Sequence, residues 1–145
     1  MKIERVLSQE DAAVLSRLAE NLLRMREVSF NFAEQLIELI STSVLLPQNV
    51  QRHDCVSLQS EVTFREVGTT HSETVLLVCP QDAHEGLARI SILAPLAMAL
   101  IGRPVGSVAE VVLPFNRVKY LEITGVRQLG DRRPERGGMR AAMYP

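Results

Sequence analysis

The stretch "SILAPLAMALIGRPVGSVAEVVLP", residues 91–114, decides how the chain is read. Ile90 to Leu93 form a short strand, Pro95 to Ile101 a two-turn helix, "GRPVGS" a turn and "VAEVVLP" another strand. The helix is almost wholly apolar, so it belongs in a core, with Leu96, Ala99 and Leu100 against a sheet. Pro95 suits the first helical position, where its missing N–H has no intrahelical partner. Ala94 stands where a hydroxyl or carboxylate would cap the first turn, which costs roughly 1 kcal/mol relative to Ser. The uncapped donors are open to water or to an acidic or carbonyl group of a partner. Gly106 is expected at positive φ.

Outward from this stretch, residues 50–128 carry a β signal. Val56, Leu58, Val62 and Phe64 alternate with Ser57, Gln59, Glu61 and Thr63, the pattern of a half-buried strand. "TVLLVC" is apolar on both faces and reads as a central strand, and "VKYLEITGV" closes the sheet. Glu110 and Glu122 are expected on solvent faces. Strands with one short helix over a face give an α+β domain.

Residues 1–49 read as an antiparallel helical hairpin. Ser8-Gln9-Glu10-Asp11 is a capping-box-like start, followed by Leu15, Leu18, Leu22 and Met25. Asn31 repeats the cap before Ala33, Leu36, Ile37, Ile40 and Val44; "RMREVSFN" is the bend. The first helix would be about 27 Å long. Residues 129–145 show no periodicity; Arg132, Arg133, Arg136 and Arg140 face Asp131 and Glu135 in a mildly basic, flexible tail.

Composition narrows the function classes. The chain has 145 residues, 46% hydrophobic and 23% charged, which suits one small core. A net charge of −1 and 4% aromatics leave no global footprint for nucleic acid, so any such contact is expected only through a partner. Nothing near Met1 reads as a signal peptide, and the longest apolar run is about half a membrane span. A cytoplasmic, monomeric protein is expected. Cys55 and Cys79 form no CxxC pair and read as reduced, buried thiols.

Catalytic patterns are missing. His53, His71 and His84 have no ligand spacing, and "DAHEG" lacks the HExxH arrangement. No serine sits in GxSxG, and no glycine run would cradle phosphate. No catalytic residue, metal site or cofactor is assigned.

"RISILAPLAMALIGRPVGSVAEVVLPFNRVKYLEITGV" resembles the C-terminal domain of the Gre transcription elongation factors. The matching positions are Ile90, Ser91, Pro95, Leu96, Ala97, Leu100, Gly102, Val105, Gly106, Pro114, Tyr120 and Ile123, and the likeness runs over roughly residues 50–127. Within that superfamily the chain looks closest to the Rnk type, regulators of nucleoside diphosphate kinase, with Ala before the helix proline and a shortened hairpin. The resemblance implies an FKBP-like α+β domain behind a helical finger, docked on RNA polymerase at the rim of its secondary channel. It puts the polymerase contact at Leu93, Ala94 and Pro95, with Leu93 where Gre proteins commonly carry an acid. In Gre factors, acids at the finger tip help hold the Mg²⁺ that activates water for transcript cleavage. Here the tip, with Arg24, Arg26 and Glu27, offers a single acid close to two arginines, a poor cation site. The resemblance therefore implies docking without cleavage. Three rivals stand beside it: a true cleavage-stimulating factor, a kinase regulator acting by direct contact, and an FKBP-type prolyl isomerase. The last has only Phe64, Phe115 and Tyr120 to wall an aromatic pocket.

Overall fold

In the computed structural model, which describes residues 5–25 and 30–128, the stretch 91–114 folds as strand, helix and strand, as its pattern predicts. The bend residues Arg26 and Glu27 and the arginine-bearing segment 129–145 lie outside the described residues. The chain runs β1 (Val6–Leu7), α1 (Gln9–Met25), α2 (Phe30–Ser41), β2 (Val44–Leu45), β3 (Ser60–Glu66) and β4 (Ser72–Val78). It continues through β5 (Arg89–Ser91), α3 (Pro95–Leu100), β6 (Val108–Leu113) and β7 (Arg117–Gln128). Strands β3 to β7 make one sheet in the order β5-β4-β3-β7-β6. All neighbours are antiparallel except β4 and β5. The α+β class and the preceding helical hairpin are borne out.

The strand read over residues 56–64 starts later than its alternation predicts, at Ser60. Ser60 Oγ accepts the Ser57 N–H at 3.0 Å and donates to the Ser57 carbonyl at 2.6 Å, closing a turn in which Gln59 takes φ 66°. A buried serine that bonds the local backbone competes with the ladder, and here the turn wins. The double-apolar strand β4 lies inside the sheet, but β3 is its middle member.

The buried stripe of α1 is Ala12, Leu15, Ala19 and Leu22; Met25 is exposed and Leu18 half-buried. The predicted stripe is thus rotated toward the alanines, which let α2 approach closely. On α2 the buried residues are Ala33, Leu36 and Leu39, while Ile37 is exposed. The helix starts at Phe30, so Asn31 lies inside it and not at its cap. Val44, expected on this helix, pairs instead with Val6 in the two-stranded parallel sheet of β1 and β2. One buried cluster runs from Leu7, Leu15 and Leu36 through Val56 and Val62 to Ile92, Leu100 and Ile123.

Two polar joints tie the N-terminal segment to the sheet. Arg5 Nη1 donates to the carbonyls of Met98 at 2.6 Å and Ile101 at 2.9 Å, at the end of α3. The last carbonyls of a helix have no intrahelical donor, so a cation there is doubly favourable. Burial, and then the neighbouring Arg103, push the Arg5 guanidinium down to about 10. Gly102 lets the segment pass: at φ 81°, an added Cβ would stand 3.0 Å from Arg5 Cβ and 3.2 Å from the Val6 carbonyl oxygen. The second joint is Asp11. Ser8 Oγ accepts its N–H at 3.1 Å, the expected cap, while its own Oδ2 accepts the Leu58 N–H at 3.1 Å.

Two further irregularities bear on β7. Between β3 and β7 the register shifts at Thr63/Phe64: Thr63 faces Gly125 and Phe64 faces Ile123, so Thr124 is the extra residue. At the β6–β7 connection, Phe115 (φ 65°, ψ 31°) and Asn116 (φ 59°) both take left-handed conformations. For a phenylalanine this costs on the order of 1 kcal/mol or more.

Asp11 and Arg5 each give a measurable outcome. Burial, aided by Glu10 and opposed by the Leu58 N–H, raises the Asp11 carboxyl from 3.8 to about 6. Its folded form thus holds a proton more tightly than its unfolded form. The stability it contributes is complete below about pH 4 and lost as pH rises through 6, on the order of 1–3 kcal/mol. Asp11→Asn keeps an acceptor for Leu58 and does not titrate. In urea titrations its advantage over wild type is expected to grow between pH 4 and pH 7. Arg5→Met, which leaves the α3 carbonyls without their cationic donor, is expected to lower stability by about 1.5–3 kcal/mol in the same assay.

Candidate functional site

The corner predicted for docking is built by a serine turn. Ser91 Oγ accepts the Leu93 N–H at 3.0 Å, and the Ser91 carbonyl accepts the Ala94 N–H at 2.9 Å. Ala94 is extended (φ −67°, ψ 143°) and caps α3 with no side-chain hydrogen bond, as its residue type dictates. Pro95 follows at the first helical position and is exposed; Leu93 and Ala94 are half-buried against the core. Ala97 to Leu100 are buried, whereas Leu96, expected in the core with Ala99 and Leu100, is half-buried. A fixed turn thus presents an apolar edge with unmet helix N–H groups behind it.

That edge faces a groove of about 790 Å³. Leu93, Pro95 and Met98 line it from the corner and α3, Phe32 and Glu38 from α2, Thr42 from the turn after α2, and Glu110 and Val112 from β6. Arg5 and Arg103 line it as well, and Arg103 Nε donates to the Ala99 carbonyl at 3.2 Å. Burial lowers the Arg103 guanidinium too. The sequence reading missed Arg5, Phe32 and Glu38. They reach the corner through the fold alone, and nothing in their spacing announces it.

The finger-tip candidates lie elsewhere. Arg24 is exposed in the last turn of α1. It stands about 20 Å along the helix from Asp11, which marks the base of the hairpin. Arg26 and Glu27 lie outside the described residues.

A second cleft, of about 300 Å³, lies under the other side of α3. Its apolar lining is Phe64, Leu96, Val111, Leu113 and Leu121, with Glu66, His71 and Lys119 also contributing. Of Phe64, Phe115 and Tyr120, only Phe64 lines it. Among the described residues no three His, Cys, Asp or Glu side chains gather as metal ligands. Both cysteines are free, Cys55 buried and Cys79 half-buried, and burial pushes both thiols up, away from the reactive thiolate. Glu110 is exposed as expected. Glu122 is half-buried and paired with Arg65, whose Nε and Nη2 donate to Oε1 at 3.1 and 2.8 Å. Among the described residues no helix is long and apolar enough to cross a membrane.

Comparison with known proteins falls on the same residues. Positions 51–128 match the family model described as transcription elongation factor, GreA/GreB, C-term. Transcription elongation factor GreA of Leuconostoc mesenteroides is 35% identical over 93 residues, 64% of this chain and 58% of that protein. GreA of Lactococcus lactis subsp. cremoris is 34% identical over 91 residues, 60% of this chain and 58% of that protein. The chain therefore spans under two thirds of the length of these relatives. The solved prokaryotic transcription elongation factor GreA/GreB from Nitrosomonas europaea superposes with a TM-score of 0.67 at 27% identity, covering 87% of this chain and 99% of that one. The family match takes in more than half of the chain, from the turn before β3 to the end of β7 and including the α3 corner, and so this protein belongs to the GreA/GreB transcription elongation factor family.

Proposed function

We propose that this chain regulates transcription by binding RNA polymerase at the rim of its secondary channel, without stimulating transcript cleavage. The observation that carries the reading is the α3 corner: a hydrogen-bonded turn holds Leu93, Ala94 and Pro95 together, with Leu93 and Pro95 lining a groove, inside the region that matches the family. Exposed Pro95 and half-buried Leu93 make an apolar anchor that docks without a large folding cost. The unmet N–H groups of α3 suit an acidic or carbonyl group on the polymerase.

The donor set at the hairpin end does not fit a catalytic Mg²⁺. Such an ion needs at least one or two carboxylates projecting together, and residues 24–29 hold only Glu27, beside Arg24 and Arg26. The first helix has 17 residues, about 25 Å, and keeps its base fixed at Asp11. This combination supports the Rnk-type reading, in which the protein occupies the channel rim and competes with cleavage factors. The prolyl isomerase alternative has one aromatic in its cleft and no support from the family match.

Purified RNA polymerase tests both halves. Wild-type protein is expected to bind it, and Leu93→Asp and Pro95→Asp to bind at least about tenfold more weakly. Added to backtracked complexes with Mg²⁺, the protein is expected to leave the RNA length unchanged and to slow cleavage by an added Gre factor. RNA shortening that requires Glu27 would replace this reading with a cleavage factor. Full binding by both aspartate variants would move the contact elsewhere. Co-purification with a nucleoside diphosphate kinase and not polymerase would favour the kinase regulator.

A further inference from the structure

The β6–β7 connection joins two unfavourable features at one residue. Phe115 is 93% exposed and sits in the left-handed region, beside a second left-handed residue, Asn116. Two consecutive left-handed positions are the geometry that Asn-Gly or Gly-Gly adopts readily. A phenylalanine so exposed gains almost no burial among the described residues and strains the backbone. The ring does not stand alone. Val112 and Val118 pair directly across the strands beneath it, and both are exposed. Arg117, at the foot of the tip, is exposed, and its guanidinium makes no ion pair among the described residues.

We infer that Phe115 is a second anchor for the protein partner that docks at the α3 corner: its ring enters an apolar pocket with an acidic group at the rim to meet Arg117. The inference rests on the polymerase-binding reading and extends the contact surface of that site. Continuity identifies the occupant. Val112 lines the same groove as Leu93 and Pro95, and Phe115 stands three positions further on, at most about 10 Å away along the chain. A partner patch of ordinary size, about 800 Å² or roughly 30 Å across, would cover the corner and the tip together. Single-stranded nucleic acid fits less well. Stacking sites pair their rings with a basic track. Beside Arg117 the β7 end of this hairpin offers only Lys119, which already lies 4.0 Å from Glu66.

The test separates the ring from the backbone that carries it. Phe115→Asn keeps a residue that tolerates the left-handed conformation, Phe115→Tyr keeps the ring, and Pro95→Asp reports on the corner. Each is titrated against purified RNA polymerase, with urea unfolding of the free protein in parallel. Phe115→Asn is expected to unfold at the same or a higher urea concentration than wild type, yet to bind about ten- to hundredfold more weakly. Phe115→Tyr is expected to bind within about threefold of wild type. A purely structural residue would not lose binding while keeping stability. If Phe115→Asn binds like wild type while Pro95→Asp is weakened, the tip is no anchor and the corner stands. If wild type does not bind polymerase, the docking reading falls and this inference with it. If Phe115→Asn instead loses only binding to a labelled single-stranded RNA, or only concentration-dependent self-association, the ring serves that contact and the inference is overturned.

Discussion

Helix α3 has six residues, too few to persist on its own propensity, so its position depends on what holds its two ends. The C-terminal carbonyls are held by Arg5, from 93 residues earlier for Met98, and the N-terminal end rests on the turn made by Ser91. Between them, Ala97 to Leu100 are buried in the core. The corner that carries the functional reading is therefore the product of a long-range ionic cap and a short-range serine turn. Gly102 is the condition for the first, because a side chain there would collide with the segment that brings Arg5 in.

The same N-terminal segment explains why the hairpin and the sheet share one core. β1 pairs with β2, which closes the base of the hairpin, while the Val6 N–H donates to the Gly102 carbonyl at 2.8 Å. Asp11 adds a bond to the Leu58 N–H from the first turn of α1. The arm is thus anchored at three places within its first seven described residues. A docked body would transmit its orientation to the arm through backbone bonds and an ion, not through a flexible linker.

Much of this was legible in the residues. The cap at Ser8, proline at the start of α3, the uncapped Ala94 and positive φ at Gly106 all follow from local chemistry, and all appear. Local chemistry also misled. Alternation over residues 56–64 concealed the Ser57–Ser60 turn, because a serine reads as a polar strand position whether or not it bonds its own backbone. Leucine spacing put Met25 in the stripe, while Ala12 and Ala19 took the contact that only small side chains allow. The groove was not legible. Arg5, Phe32, Glu38 and Val112 meet there through pairing and packing between distant segments. Nor does "PFNR" announce a left-handed phenylalanine, since nothing in residue preference asks for one.

The extra residue at Thr124 has a consequence for how the chain can change. Because of it, Val126 and Ile123 lie three apart yet point to the same side, opposite Val62 and Phe64. It also delivers Gln128 to the loop before β3, where Nε2 donates to the Cys55 carbonyl at 3.0 Å and Oε1 accepts from Ser57 Oγ at 2.6 Å. Running the same residues through a regular ladder, with Thr124 paired, would turn everything beyond it inside out, with Val126 facing water and Gln128 swung away from its partners. The irregularity works as a ratchet tooth: it lets the two longest-paired strands meet in one alignment and makes neighbouring alignments self-defeating.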